Sequence, residues 1–339
     1  MNTEFSIGST VVVDIGATKI MAACASNSIE GETVTIPTPS RSQEEFVFHL
    51  VDLIRRVHPS PTRIVVATPG AVDTLSDRHI DPANLGFSRI PLRDLLMAHF
   101  TVPIDLIGDA EAGAIAEFAA GAAATAHVND GIYLTVSTGI GAGLVLDGRL
   151  RVHNGVGEIG HTPVFCATNA ICGCGATGCL ETVASGTGVA AQANALASRS
   201  RYLSSIATDR PLTARDVCHA AEDGDPIASE IHTNCVSALA KVVAVLVRTL
   251  ALEAVVIGGG FGVGAELCEP IEEAVRNLTR ASQLPIDTLF LEAGFGRRSV
   301  LVGAALVAGH PDFRSEEDPR PSILAQSPWG IALLGKDAA

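Results

Sequence analysis

Lysine is almost missing from this chain. Lys19, Lys241 and Lys336 are the only three in 339 residues, and arginine makes up the rest of the 23 basic groups against 37 acids. The formal net charge is −14, and phosphate neutralisation needs clustered Lys and Arg, so a nucleic-acid or anionic-membrane surface is argued against. Aromatics are scarce at 4%, with one Trp, so any core must be aliphatic, and 33 glycines supply many tight turns. The longest apolar stretch, Val236–Ile257, is interrupted by Lys241, Arg248 and Glu253, which excludes a charge-free membrane span. A basic segment followed by a long apolar one is missing from the start, so no signal peptide is expected and the protein is read as cytoplasmic. A P-loop is absent as well, since no Gly-Lys-Ser/Thr follows a glycine at the required spacing.

What is present suits a folded chain of two ordinary domains: 47% hydrophobic residues and 18% charged. Strands alternate with helices, which implies α/β architecture. The pattern predicts helices over 42–57, 112–124 and 225–252, and strands over 63–67, 104–107 and 254–257. Asp225-Pro226 opens the longest helix as an N-cap followed by Pro at the first helical position. Beyond His310 several prolines and acids read as a loosely packed extension on which Trp329 docks at most.

Two segments repeat one plan. Thr10–Met21 is a β-branched run, then an acid with Gly and a hydroxyl, then apolar residues again. Ile132–Leu146 is an apolar run, then Ser, Thr and three glycines at every second position, then an apolar run. Both read as hairpins, and their separation points to two related domains. In the first turn, Asp14, Gly16, Ala17, Thr18 and Lys19 combine a carboxylate, permissive backbone, a hydroxyl and an ammonium, which suits phosphate oxygens. Asp14 is also placed to hold Mg²⁺, directly or through water. The second turn offers Thr138, Gly139, Ile140, Gly141, Ala142 and Gly143. Residues 260–265, GFGVGA, match a dinucleotide fingerprint only formally, because no second βα unit with an acid follows.

Four of the eight cysteines, Cys166, Cys172, Cys174 and Cys179, lie within fourteen residues. Such a cluster reads as a metal site rather than a disulfide framework. His161, Cys172, Cys174 and Cys179 make a closed tetrahedral shell, a structural zinc preference, with Cys166 as the rival fourth ligand. Asp109 ends a strand where a helix begins, a place where active-site groups of open α/β sheets gather. Glu158 and Glu181 flank the cysteine cluster.

In these pieces the chain resembles the ROK family of sugar kinases and repressors. They are DIGATK, ATPGAVD (67–73), GDAEAGAIAE (108–117), TGIGAGLVLDGRL (138–150), GVGEIGH (155–161), CGCGATGCLE (172–181) and VIGGG (256–260), in the family's order over roughly residues 10–310. The resemblance implies a two-domain actin/hexokinase-like (ribonuclease H-like) fold with an active-site cleft between the domains. Residues 1–125 would form the N-terminal domain, completed by a helix near 300–310, and 126–300 the larger C-terminal domain carrying the zinc loop. Residues 311–339 would be a tail. Only about nine residues precede the first phosphate turn, so the kinase branch is implied over the repressor branch, whose helix-turn-helix would lie there.

The same resemblance implies ATP phosphates at both turns and the nucleoside near Gly259 and Gly260. It implies Asp109 as the base for the sugar hydroxyl, and Glu158, His161 and Glu181 as sugar contacts, with His161 also ligating zinc through its other ring nitrogen. Gly70 and Asn84 would line the sugar pocket, and a homodimer would be the assembly. The implied reaction is ATP-dependent phosphorylation of an aldohexose 6-hydroxyl, glucose first. The alternatives are an amino-sugar 6-kinase acting on kanosamine or N-acetylmannosamine, a polyphosphate donor in place of ATP, and a sugar sensor without turnover. Two departures bear on the sugar. Gly108 and Glu111 stand where the family has Asn, whose first member contacts the C3–C4 edge of the ring. Either Glu111 turns inward toward an amine at C3, or it stays solvated at the first turn of its helix, where an acid suits the dipole.

Overall fold

The structure, a computed structural model, describes residues 9–25, 29–39, 42–72, 80–81, 85, 90–152, 155–164, 170–263, 267–280 and 286–309. The C-terminal tail with Trp329, and Cys166 and Asn84, lie outside them. The chain divides into two compact units: residues 1–129, 143–157 and 297–339, and residues 130–142 and 158–296.

The first part of the chain runs β1 (Thr10–Ile15), β2 (Lys19–Ala25), β3 (Ile29–Pro37), α1 (Gln43–Val57), β4 (Arg63–Thr68), β5 (Ala71–Val72), β6 (Ile80–Asp81), α2 (Leu92–Met97), β7 (Ile104–Gly108), α3 (Asp109–Ala119) and α4 (Ala122–Thr125). Its five-stranded sheet has the order β3-β2-β1-β4-β7. The first three strands are an antiparallel meander, and β4 and β7 run parallel to β1. Val11, Val12 and Val13 are all fully buried, as expected of a central strand covered on both faces. Val11 and Val13 join the core cluster that α1 completes with Phe46, Leu50, Leu53 and Ile54, and Val12 points to the other face by the two-residue period of the strand. Ser42 caps α1 by accepting the Glu45 N–H at 3.1 Å.

The second part runs β8 (Gly131–Val136), β9 (Ile140–Leu146), β10 (Arg149–Leu150), α5 (Leu180–Ala184), α6 (Gly186–Leu196), α7 (Arg201–Ala207), α8 (Ala214–Glu222), α9 (Pro226–Leu250), β11 (Ala254–Gly258), α10 (Cys268–Arg280), β12 (Leu289–Glu292) and α11 (Ser299–Gly309). Its sheet has the order β10-β9-β8-β11-β12, with β11 parallel to β8 and β12 parallel to β11. Strand for strand this is the plan of the first sheet. The repeat seen in the two turn sequences is therefore a repeat of whole topology.

Asp225 caps α9, accepting the N–H groups of Ile227 and Ala228 at 3.1 and 2.9 Å. By length and composition α9 could cross a membrane. Its buried stripe Ile231, Cys235, Leu239, Val243 and Val247 recurs every four residues and packs against α5, α6, α8 and α10, so it is a core helix. The helix expected over 112–124 instead begins at Asp109 and breaks at Gly121. The buried Glu117 carboxylate accepts the Ala122 N–H at 2.9 Å and the Ser299 hydroxyl at 2.8 Å. A Cβ at Gly121 would collide with that carboxylate. α11 returns to the first unit and packs on α3 so closely that a Cβ at Gly303 would strike the Ala112 backbone.

Candidate functional site

Parallel pairing brings one set of residues to the carboxyl edge of the first sheet. The registers Asp14↔Ala67 and Thr68↔Gly108 put Asp14, the turn through Gly70, and Gly108-Asp109 at the same ends of β1, β4 and β7. Ligands of open α/β sheets gather at that edge. In the first turn the Gly16 N–H donates to the Lys19 carbonyl at 2.9 Å, and Thr38 Oγ1 donates to the Gly16 carbonyl at 2.6 Å. A Cβ at Gly16 would come within 2.9 Å of the Lys19 oxygen, so this tight reversal needs glycine. Thr18 and Lys19 are exposed and Ala17 is half-buried. Burial pushes the Asp14 carboxyl up to about 7, with Lys19 opposing the rise. A cation at this turn would add to the partial compensation that Lys19 gives.

Asp109 is the first residue of α3, and its Oδ1 accepts the Ala110 N–H at 2.7 Å. Glu111 bends back, its Oε2 accepting the Gly108 N–H at 3.1 Å. Glu111 thus stays at the helix start, as the second of its two readings has it, but half-buried and capping where that reading had it solvated. Gly70 has φ +76°, a left-handed turn open to glycine.

The second set lies in the second unit. The turn after β8 is shorter than the sequence suggested: Ser137–Gly139 reverses the chain, with the Ser137 N–H on the Gly139 carbonyl at 2.9 Å, and β9 starts at Ile140. Ile140, Gly141 and Ala142 are thus strand residues, and so is Gly143, which packs on the Ala110 backbone. The Ile140 N–H is already used, donating to Glu181 Oε2 at 3.0 Å, so it is not open to a phosphate oxygen as the turn reading supposed. Around Ser137 the fold adds groups that the sequence reading passed over. Gly186 N–H, at the start of α6, donates to the Ser137 carbonyl at 2.7 Å, and Phe261 and Gly262 N–H donate to the Val136 carbonyl at 3.0 and 2.9 Å. Gly259, at φ +85°, packs on Val136, where a Cβ would collide. Thr138, Gly139, Gly259 and Gly260 therefore share one neighbourhood with the N-terminus of α6. The signal for the helix start was the N-cap Ser185 before Gly-Thr-Gly, and Ser185 does accept the Gly188 N–H at 3.0 Å.

The metal-type residues converge. His161, Cys172, Cys174 and Cys179 offer ligand atoms all within 4.8 Å of one another. Gly175 and Gly178 take φ +87° and +75°, and the Cys172 N–H closes a turn on the Ala176 carbonyl at 2.8 Å. Cys174 and Cys179 sulfurs are 3.7 Å apart, and Cys172 Sγ is 3.4 Å from His161 Nδ1. A tetrahedral ion with bonds of about 2.3 Å to sulfur and about 2.0 Å to nitrogen has edges of roughly 3.8 and 3.5 Å, so the donor set fits. Burial pushes the Cys179 thiol up to about 12, while the Ala176 N–H holds Cys174 below the usual thiol value. His161 turns its other nitrogen, Nε2, toward Glu158 Oε2 at 3.7 Å. Glu181, the first acid of α5, is buried, and its Oε1 lies 3.8 Å from Cys172 Sγ. Glu158, His161 and Glu181 are thus grouped about the cysteine cluster.

The ROK family model matches residues 10–310. The chain belongs to the ROK family. It is 32% identical over 308 residues to an N-acetylmannosamine kinase of Yersinia pseudotuberculosis, covering 89% of this chain and 99% of that one. A ROK family glucokinase from Streptomyces griseus, solved with glucose and AMPPNP, superposes with a TM-score of 0.77 at 26% identity, covering 88% of this chain and 99% of the other. A ROK hexokinase from Thermus thermophilus gives 0.67 at 31% identity, with coverage of 88% and 96%. The ROK fold of the actin/hexokinase type, with its paired sheets and covering helices, is the fold of this chain.

Proposed function

We propose that this ROK protein is an ATP-dependent sugar kinase that phosphorylates the 6-hydroxyl of an amino-hexose, with N-acetylmannosamine the first substrate to test. The carrying observation is the 32% identity that extends over 99% of an N-acetylmannosamine kinase. Gly108 bears on a 3-amino sugar as the other amino-hexose to test, since the chain has no side chain where the family's Asn reads the C3–C4 edge, whereas N-acetylmannosamine differs from glucose at C2. Glucose is the second reading, favoured by the likeness to the Streptomyces griseus glucokinase.

In this reading Asp109 accepts the proton of the attacking hydroxyl and holds its oxygen in line, which is most of what phosphoryl transfer asks of a protein. Glu158, His161 Nε2 and Glu181 take sugar hydroxyls, and Gly70 and Asn84 line the pocket. The turns at Asp14–Lys19 and Ser137–Gly139 take the phosphates, and Gly259-Gly260 the nucleoside. Asp14 holds Mg²⁺, which supplies charge neutralisation of the transferring phosphoryl group. His161, Cys172, Cys174 and Cys179 hold a structural zinc ion that fixes the loop carrying Glu158 and Glu181. The test is ADP release with a panel of N-acetylmannosamine, 3-amino-3-deoxyglucose and glucose, compared by kcat/KM. The expected result is N-acetylmannosamine first by about tenfold or more. Glucose first would reverse the order of the two readings, and ADP release with none of the sugars would remove both.

A further inference from the structure

The backbone of Ile140 sits between two sets of residues that the proposed function assigns to different substrates. On its N–H side it donates to Glu181 Oε2 at 3.0 Å, in a buried bond. On its carbonyl side it is packed so tightly by Gly160 that a Cβ there would collide with the Ile140 oxygen. Gly160 lies in the short 3₁₀ turn between Glu158 and His161. One residue before Ile140 is Gly139, whose carbonyl closes the Ser137–Gly139 turn. The Glu181 bond and the Ser137–Gly139 turn therefore meet at the peptide that joins Gly139 to Ile140, and the Glu181 bond is buried.

Glu181 is the polar half of that junction. It is 9% exposed, and its two oxygens face different ways: Oε2 toward Ile140, and Oε1 toward Cys172 Sγ at 3.8 Å. A carboxylate with one oxygen fixed by a backbone donor keeps acceptor capacity on the other. A hydroxyl arriving at Oε1 meets a group whose orientation is already set by the phosphate turn.

We propose that Glu181 is a positioning residue for the nucleotide as well as a sugar contact: by holding the Ile140 N–H it sets the Ser137–Gly139 turn, and so couples the two substrates. This rests on the sugar-kinase reading above. The coupling is reciprocal by thermodynamic necessity, so sugar and nucleotide should each tighten the other in the wild type.

The test reads AMPPNP affinity calorimetrically without sugar, so that loss of a sugar contact cannot account for the outcome. Three variants are compared, with zinc content measured on each. Glu181→Ala removes the acceptor and should weaken AMPPNP about tenfold, the size of one charge-assisted hydrogen bond. Glu181→Asp keeps the charge but cannot reach Ile140, and should weaken it similarly. Glu181→Gln keeps an amide oxygen within reach of Ile140 and should stay within about threefold of wild type. The Asp and Gln pair decides the matter if the Ala variant does not fold. Equal AMPPNP affinity in wild type and Glu181→Asp would overturn the proposal. So would a Gln variant as weak as Asp, or a loss of zinc that tracks the loss of nucleotide. Wild-type protein that binds no AMPPNP at all would instead remove the kinase reading itself.

Discussion

Gly108→Asn is the substitution that most directly probes how the sugar is chosen. A Cβ built on Gly108 would lie 3.2 Å from Glu111 Oε2 and 3.3 Å from Glu111 Cδ and Cγ. The introduced amide and the Glu111 carboxylate thus compete for the same space, and Glu111, the far end of a flexible side chain, must give way. Displacing it forfeits the 3.1 Å bond to the Gly108 N–H, worth about 1 kcal/mol. The position compensates, because Gly108 has the extended backbone of an N-cap (φ −62°, ψ 140°), where Asn is among the best residues. Net stability should therefore change by less than about 1 kcal/mol, within reach of urea unfolding.

The effect on substrate choice should be larger than the effect on stability. An added donor and acceptor at the C3–C4 edge would favour a hydroxylated glucose-like edge, so kcat/KM for glucose relative to 3-amino-3-deoxyglucose should rise about tenfold. Glu111→Ala separates the two roles. It should cost roughly 1 kcal/mol of stability through the lost cap and leave the sugar ranking alone. The double variant should show the full change in ranking without further loss of stability. An unaltered ranking in Gly108→Asn would refute the reasoning about the edge. A change in ranking from Glu111→Ala alone would mean that Glu111 reads the sugar and does not merely cap.

Three further outcomes are expected. One zinc per chain should be found in the purified protein, and Cys174→Ser, at the exposed ligand, should remove it and weaken sugar binding roughly tenfold or more, which metal analysis and titration calorimetry would check. Asp109→Asn should lower kcat by about 10²–10⁴-fold while changing sugar affinity little, measured by steady-state kinetics beside a binding titration. Asp216 is gripped by Arg210 at 2.6 and 2.7 Å and by the Thr213 N–H and hydroxyl at 2.8 and 2.7 Å, and the guanidinium holds its carboxyl well below the usual range. Asp216→Ala should cost about 2 kcal/mol, discounted for the half-exposed arginine. Because the folded pKa is depressed, that gap should be full above about pH 5 and shrink as pH falls through 4, seen in unfolding curves across that range.

Legibility in the sequence differed by the kind of signal. The helices over Gln43–Val57 and Pro226–Leu250 could be read to within two residues because Ser42 and Asp225 are real caps and the apolar spacing is regular. The strands at Arg63 and Ala254 are short β-branched runs between polar turns, and they too were visible. The His161, Cys172, Cys174 and Cys179 cluster was legible because the four lie within nineteen residues, although the pairing of Thr162–Val164 with Gly178–Leu180 is also needed to bring His161 to the cysteines. What failed were boundaries set at long range. The break after α3 depends on Glu117 reaching Ala122 and on Ser299, which lies 182 residues away. The strand character of Ile140–Gly143 depends on Glu181 claiming the Ile140 N–H and on the Ala110 backbone meeting Gly143. No local pattern encodes such partners, so Gly-rich sequence was read as turn where it is close-packed strand.

The duplicated topology also explains why two similar turns differ in chemistry. Each sheet opens with an antiparallel meander and continues with two parallel strands, so each presents a Gly-containing reversal beside the carboxyl ends of its parallel strands. In the first sheet the strand before the reversal contributes Asp14, a half-buried carboxyl whose charge is disfavoured by desolvation and partly offset by Lys19. In the second, the corresponding stretch carries Thr135 and Ser137, and the carboxylate comes from elsewhere, through Glu181 on α5, already bound to a backbone donor. A charged end suits a metal-bearing phosphate, and a neutral end whose geometry is fixed from behind suits a phosphate held by backbone and hydroxyl groups. The asymmetry lies in where each acid sits: at the end of the strand itself in the first sheet, and on a separate helix, already bonded to a backbone donor, in the second.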